Sequence, residues 1–227
     1  MKIFDSLLSL VAPHDCLGCG AEGNLLCVDC RACLAPAVPR CYKCHTTSPG
    51  FTTCPACRAA SSLTVVRPAV KYQASAKDLI WKLKFGRGQG AAAEAADIIC
   101  QRLGLLPRKL SGATIVITHA PTATSRVRQR GYDQAQLIAL SLSRELGLPY
   151  RRLLARRGHQ KQIGASKARR ALQLSGAFHA VYPARIRGAH VIVVDDVITT
   201  GATLEAAATA LLAAGARRVD AIVLAQA

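Results

Sequence analysis

Residues 191–203 read VIVVDDVITTGAT: four β-branched apolar residues, two adjacent carboxylates, then a Thr-Thr-Gly-Ala-Thr turn ahead of an apolar helix. A short continuous β-branched run suits a strand buried on both faces of a parallel sheet. Ligands of such sheets sit just beyond the carboxyl ends of the strands, and Asp195 and Asp196 are expected at that end. Carboxylates there can accept from sugar hydroxyls or hold a hydrated Mg²⁺ through oxygen. Thr199, Thr200 and Thr203 add hydroxyl donors, Gly201 permits close backbone approach, and the amides opening a helix at about Ala202 suit an anion. The chemistry of this segment is that of a cradle for a phosphorylated sugar.

A second chemistry lies near the amino end. Nine of the ten cysteines fall between residues 16 and 57, and eight form four CxxC pairs: Cys16/Cys19, Cys27/Cys30, Cys41/Cys44 and Cys54/Cys57. Each pair places two thiolates on one tight turn, and two such turns complete a tetrahedral structural Zn²⁺ site. Sequential grouping, Cys16, Cys19, Cys27 and Cys30 around one ion and Cys41, Cys44, Cys54 and Cys57 around another, closes the shorter loops at lower entropic cost. An interleaved grouping remains open. A disulfide framework belongs to oxidising compartments and to secreted chains, and the sequence shows no secretory signal. Cys33, Cys100, His14 and His45 stay outside these sets. With sulfur at all four positions of each site, the module is expected to hold or recognise something, not to react.

The elements that must position these groups read as α/β. Strands are expected over residues 64–72, 115–118, 191–194 and 219–224, with Pro68 marking the first as an edge or a bend. Helices are expected over 75–85, with Ser75 as N-cap, over 91–103 and 132–146, and from about residue 202 to about 214. Gly86, Gly88 and Gly90 separate the first two, and Ser61-Ser62 marks the junction between modules. Strand and helix in alternation point to a parallel sheet. Arg126, Arg128 and Arg130 are expected on a loop after the 115–118 strand, where guanidinium forks could clamp a pyrophosphate. Residues 156–170, rich in Arg, Lys, Gln and Gly, read as a mobile loop or lid.

The chain of 227 residues carries a net charge of +17, unevenly spread. Residues 1–63 hold five Lys/Arg against four Asp/Glu, whereas residues 126–187 hold fourteen against two, a local excess of +12. Such a surface attracts polyanions, whether phosphorylated metabolite or nucleic acid. Aromatics make up only 4% of the chain, so base-stacking platforms are expected to be scarce. No run approaches the roughly 18 apolar residues of a membrane span. The amphipathic stretch 3–11, interrupted by Asp5, is read as a short helix on the cysteine module, and a cytoplasmic location is expected.

Residues 191–203 resemble the PRPP-binding signature of type I phosphoribosyltransferases. The whole chain resembles the ComF family of competence-associated proteins. That resemblance rests on the CxxC pairs, LKFGRG at 83–88, RVRQRGYDQAQLIA at 126–139, ARRALQLSGAF at 168–178 and VVDDVITTGAT at 193–203. Three departures are visible: Tyr132-Asp133-Gln134 where Phe-Asn-Gln is usual, Ile117-Thr118-His119-Ala120-Pro121 where the first core strand typically ends Val-Pro-Val-Pro, and Gly88-Gln89 where an acidic residue often stands.

The resemblance implies a small N-terminal Cys-rich double zinc module, residues 1–62. It is followed by a type I phosphoribosyltransferase-like parallel sheet flanked by helices, residues 63–227. It further implies PRPP bound with Mg²⁺ through Asp195, Asp196, Thr199, Thr200, Gly201, Ala202 and Thr203, and a role in DNA uptake during natural competence. The basic stretch and the cysteine module favour single-stranded DNA as a second ligand, with Arg126, Arg128 and Arg130 touching pyrophosphate or nucleic acid, and uptake-machinery proteins as candidate partners. The alternative is an active phosphoribosyltransferase with an unknown acceptor; no general base can be assigned.

Overall fold

The computed structural model describes residues 14–86, 88–105, 114–156 and 176–227. The expected N-terminal helix over 3–11, residues 157–170 of the expected lid and most of the 168–178 motif lie outside them. Residues 14–62 hold a two-stranded ribbon, β1 (His14–Asp15) and β2 (Glu22–Gly23), and two short helices, α1 (Val28–Ala32) and α2 (Pro55–Arg58). The chain then alternates through β3 (Val66–Lys71), α3 (Ser75–Phe85), α4 (Gln89–Leu103), β4 (Ile115–His119), α5 (Thr124–Arg130) and α6 (Gln134–Leu146). It closes with β5 (Leu154–Arg156), β6 (Phe178–Ala180), β7 (His190–Ile198), α7 (Ala202–Ala213) and β8 (Arg218–Gln226).

Four strands form one parallel sheet in the order β3-β8-β7-β4. Successive strand residues point to opposite faces, so β7 serves two cores at once. Val191 and Val193 pack with Leu204, Ala207, Ala208 and Leu211 of α7, whereas Ile192 and Val194 join the other core, built on α3, α4 and α6. Leu79, Ile80, Leu83, Ile98, Ile99, Ile138 and Leu142 fill that second core and are essentially inaccessible to solvent. The sheet is therefore flanked by helices on both faces, and burying apolar area on each at roughly 25 cal/mol per Å² fixes which way every strand residue must face. Among the described residues no helix is long and apolar enough to cross a membrane.

Pro68 does sit on a strand at the margin of the sheet, where a residue without an N–H is tolerated. The outer edge of β3 is nevertheless covered. Pro36 bridges Val70 antiparallel, Lys71 N donates to Ala35 O at 2.9 Å, and Thr53 N donates to Thr64 O at 2.9 Å. The cysteine-rich segment thus joins the sheet by backbone pairing and spreads to both faces. Cys16, Leu25, Leu26 and Leu34 enter the α3/α4/α6 core, while Tyr42 and Leu63 enter the α7 core. On the first side Arg31 of α1 forms ion pairs with Glu94, at 2.7 Å, and with Asp97, both on α4.

Several boundaries differ from expectation, each for a local reason. Gly90 lies within α4, which opens at Gln89, and a Cβ there would meet Leu25 Cδ1 at an ordinary 3.6 Å, so the position accommodates helix without strain. Ala74, not Ser75, is the N-cap of α3, and Ser75 is the first helical residue. Asp133 caps α6, accepting from the amides of Ala135 and Gln136, so that helix begins two residues after Tyr132. Arg126, Arg128 and Arg130 lie on a helix, α5, and not on a loop.

Because β3 has a backbone partner on its outer edge, a fragment of residues 63–227 should expose unpaired strand edge and apolar surface. Light scattering is expected to show it self-associating; a monodisperse, thermally stable fragment would show that the edge needs no cover.

Candidate functional site: the carboxyl edge of β7 and the loop into α7

Strand β7 does not stop before its carboxylates. It runs to Ile198 because β8 keeps pairing with it, Asp195 opposite Val223 and Val197 opposite Ala225. Strand β4 ends earlier, its last partners being His119 opposite Val194, after which Ala120 N donates to Val194 O at 3.0 Å. Beyond Val194 the central strand therefore has a neighbour on one side only, and a crevice opens at Asp195 and Asp196. This is the carboxyl edge of the sheet, the place where parallel sheets take ligands.

Strand alternation sends the two acids off opposite faces. Asp196 is 7% exposed, its Oδ1 accepting from Val197 N at 2.8 Å. Its Oδ2 has no hydrogen bond among the described residues; Lys84 Nζ of α3 lies 3.0 Å away as an ion pair, off the hydrogen-bond direction. Asp195 is half-buried and lines a small hollow together with Thr199, Thr200, Gly201, Ala202 and Thr203. Burial, reinforced by the neighbouring charge of Asp196, pushes its carboxyl well above the usual carboxylate range. Arg156 of β5 stands near enough for Asp195 and Asp133 to support its charge, while burial and Arg126 oppose it. The hollow thus collects the residues expected from the sequence except Asp196, which turns to Lys84. A larger concavity of about 420 Å³, lined by Thr114, Arg151 and Arg187 among others, opens at the other end of β4 and contains no carboxylate.

The loop into α7 is held by glycine and tyrosine. Gly201 has φ 74° and ψ 0°, a left-handed conformation that suits glycine, and a Cβ there would come within 2.6 Å of the Tyr42 ring. Thr199 and Thr200 are exposed, and the amides at the start of α7 open toward the same hollow. Any anion there meets hydroxyls and the positive end of a helix of 12 residues, whose first amide, Ala202 N, donates to Thr200 Oγ1 at 3.4 Å.

The three arginines of α5 are not brought together. Arg126 influences Arg156 and so approaches the acid site; Arg130 donates to Gln134 Oε1 at 2.9 Å and covers the Phe85 ring at 5.2 Å; Arg128 is exposed. Tyr132 anchors the turn beside them, its hydroxyl lying 2.8 Å from Leu83 O and 2.6 Å from Gly86 O. A Cβ at Gly88 would meet the Tyr132 ring at 2.7 Å, which accounts for glycine at that position.

His119, at the end of β4, is 2% exposed. Its Nδ1 shares a hydrogen bond with Tyr150 Oη at 2.9 Å, and its Nε2 lies 3.7 Å from Asp133 Oδ2. Asp133 also accepts from Thr122 N at 2.7 Å and from Thr122 Oγ1 at 3.0 Å, so one carboxylate caps α6 and pins the turn after β4. Burial lowers the His119 pKa to about 4 against the support of Asp133, which keeps the ring neutral. Sequence reasoning assigns no role to Lys84, Arg156, His119 or Tyr42. Lys84 does stand in the LKFGRG motif and Arg156 at the head of the basic run, but side-chain direction is needed to assign either.

The cysteines gather into the two sequential groups, Cys16/Cys19/Cys27/Cys30 and Cys41/Cys44/Cys54/Cys57, the sulfurs of each lying within 4.8 Å of one another. The Cys19–Cys27 and Cys44–Cys54 sulfur separations are 3.7 and 3.5 Å, far beyond a disulfide and near the roughly 3.8 Å edge of a tetrahedral Zn–thiolate site. All ten cysteines are free thiols. Amides of Cys27 and Gly18 point at Cys16 Sγ from 3.3 and 3.4 Å, and these backbone bonds bring its pKa down to about 6. The donor sets are compatible with two zinc ions.

Residues 133–227 match the phosphoribosyl transferase domain. The DNA utilization protein YhgH of Salmonella typhi is 32% identical over 146 residues, 63% of this chain and 63% of that protein. The protein of the same name from Escherichia coli strain K12 is 30% identical over 153 residues, 66% of each. Competence protein ComFC of Bacillus subtilis strain 168 is 35% identical over 100 residues, 44% of this chain and 39% of that one. The match thus spans about 63% of the first of these relatives. Among solved structures, the allosteric regulatory enzyme of purine biosynthesis aligns with a TM-score of 0.41 at 19% identity, covering 63% of this chain and 29% of its own. Adenine phosphoribosyltransferase from Leishmania tarentolae aligns at 0.35 and 16% identity, covering 60% and 70%. The helix-flanked parallel sheet and the matched domain define a type I phosphoribosyltransferase-like fold preceded by two four-cysteine groups. More narrowly, the YhgH and ComFC homologues together with that domain support a ComF-family phosphoribosyltransferase-like protein.

The His119 pKa of about 4 lies below its ordinary 6.5, so the unfolded chain binds the extra proton between those values. Stability from this group is complete above pH 6.5 and is lost as pH falls toward 4, by about 3 kcal/mol in all. The raised Asp195 acts in the opposite sense, so the measurement is a difference: unfolding free energy against pH for wild type and His119→Gln. The variant is expected to show the shallower loss across that window.

Proposed function

We propose that the chain binds PRPP with Mg²⁺ in the β7–α7 hollow and handles single-stranded DNA on the adjoining basic face, as a cytoplasmic component of DNA uptake. The observation that carries the first part is the hollow itself. Asp195 lies beside three threonine hydroxyls, a left-handed glycine and an open helix N-terminus, at the carboxyl edge of a parallel sheet. The α7 amides and the hydroxyls of Thr199, Thr200 and Thr203 take the 5-phosphate, and Asp195 accepts from ribose hydroxyls. The donor set suits Mg²⁺, which takes one or two carboxylates and completes its shell with substrate oxygens and water. Asp195 is the carboxylate open to it, and the ion supplies neutralisation of pyrophosphate charge. Asp196, held by Lys84, positions the crevice, and Arg156 with Arg126 provides cation density beside Asp195.

The DNA half of the reading is supported by the names of the relatives and by one surface. Trp81 and Phe85, one helical turn apart on α3, are 61% and 60% exposed, with ring centroids 5.6 Å apart and Arg130 over Phe85. Although aromatics are few, two of them form an exposed pair flanked by cations, the combination on which successive bases stack. Lys82 and Lys84 lie on the same helix, and Lys84 reaches the acid crevice. The second reading, phosphoribosyl transfer to an unknown acceptor, is favoured by the completeness of the phosphate loop.

Asp195→Asn is expected to weaken Mg²⁺–PRPP binding about tenfold or more, as loss of a charge-assisted contact does. Because burial raises the Asp195 carboxyl above its usual range and a bound cation favours the charged form, affinity for Mg²⁺–PRPP should rise with pH, read by titration calorimetry at several pH values. Equal pyrophosphate release from PRPP by wild type and by Asp195→Asn/Asp196→Asn in a metabolite extract would eliminate the transferase reading. Trp81 is the only tryptophan, so its fluorescence reports the DNA face directly. Oligothymidylate should quench it with an affinity that falls linearly against log salt. Trp81→Ala/Phe85→Ala, which has lost that reporter and is compared with wild type by the anisotropy of labelled oligothymidylate, should weaken binding by about 5- to 100-fold, and an absence of any binding at low salt would end that reading.

A further inference from the structure

The two cysteine groups touch different things. The first docks on α4 through Arg31, away from the acid site. The second carries Tyr42 inside its Cys41–Cys44 turn, and this tyrosine reaches the phosphate loop. Tyr42 is 3% exposed, and its ring lies where a side chain on Gly201 would stand. Its hydroxyl donates to Glu205 Oε2 and lies 2.5 Å from Ser61 Oγ. Ser62 N donates to Glu205 Oε1 at 2.7 Å, and Ser62 Oγ lies 2.8 Å from Thr209 Oγ1.

Glu205 is in the first turn of α7, and its amide donates to Gly201 O at 2.9 Å. A carboxylate so close to a helix N-terminus competes with an incoming phosphate for the same amide field. Here both carboxylate oxygens are engaged, one by Tyr42 and one by the Ser62 amide, which ties Glu205 to the module. The ring meanwhile fills the space against Gly201, whose left-handed turn aims the following amides at the hollow.

We propose that the second cysteine group is a metal-dependent positioning device for the phosphate loop, with Tyr42 as its positioning residue. Closing the four thiols of Cys41, Cys44, Cys54 and Cys57 around one ion fixes the turn that carries Tyr42. That in turn fixes Gly201 and withdraws Glu205 from the anion site. The module then sets the affinity of a site to which it contributes no ligand, and removing its metal loosens the loop. The inference rests on the phosphorylated-ligand reading of the hollow.

The experiment uses the full chain and three readouts: zinc content, affinity for PRPP–Mg²⁺ and for ribose 5-phosphate, and amide hydrogen exchange over residues 199–205. Tyr42→Ala should keep the zinc content of wild type, weaken both ligands about tenfold, within the usual 5- to 150-fold range of coupling between sites, and speed exchange in the loop. Tyr42→Phe, which keeps the ring and loses the hydroxyl, should fall between. Cys54→Ser should lose metal from one group and reproduce the Tyr42→Ala result, whereas Arg31→Ala at the other group should leave affinity and exchange in the loop unchanged. Tyr42→Ala with wild-type zinc, affinity and exchange would overturn the proposal. Were the wild type to bind neither ligand, the reading of the hollow would fall with the ligand half of the inference. Loop exchange in Tyr42→Ala would still decide whether the module holds the loop.

Discussion

Everything at the candidate site depends on one inequality in strand pairing: β7 is hydrogen-bonded on both sides as far as Val194 and only to β8 beyond it. A strand paired on both sides and packed on both faces has no surface to offer. By ending four residues sooner than β7, β4 leaves Asp195 and Asp196 on an ordered backbone with one side open. The pairing to β8 supplies the rigidity, and the missing pairing to β4 supplies the access. A site on a strand is more sharply placed than one on a loop, so the two carboxylates are held in fixed positions.

The same alternation that serves two cores separates the acid pair. Asp196 goes to the α3 side and is neutralised by Lys84; Asp195 goes to the α7 side and stays with the threonines. A buried carboxylate with one oxygen lacking a hydrogen bond is costly, and the neighbouring ammonium offsets it. The two acids therefore differ in kind although they are adjacent in sequence, one held in an ion pair and one whose carboxyl burial raises above the usual range.

The cysteine-rich segment is not a bead on a tether. Its backbone completes the β3 edge, its first four-cysteine group lies against one helical layer, and its second reaches the loop of the other through Tyr42. For a sheet whose edge strand carries a proline, covering that edge removes a route to aggregation. Placing one metal-compatible group on each face makes the order of the small module and of the larger sheet interdependent.

The parallel sheet, the helix entry after the acid pair and the sequential cysteine groups are legible in residue order because each rests on local rules. A continuous β-branched run reports burial, Thr-Thr-Gly-Ala-Thr reports a helix entry, and a CxxC turn closes on its nearest neighbour at least entropic cost. The α5 helix is not legible in the same way because its arginines and Ser/Thr carry no apolar stripe, so nothing in Thr124–Arg130 has helical periodicity to read. By itself the sequence determined the strand that carries the acid pair, the helix entry that follows it and the grouping of the cysteines. Only the tertiary structure decided that Asp195 and Asp196 part company, that Arg156 and Lys84 face them, that His119 is sealed in as a neutral ring, and that Tyr42 lies on Gly201. The reason is distance along the chain: Tyr42 and Glu205 are 163 residues apart, and no local pattern encodes a contact that exists only once the sheet has closed between them.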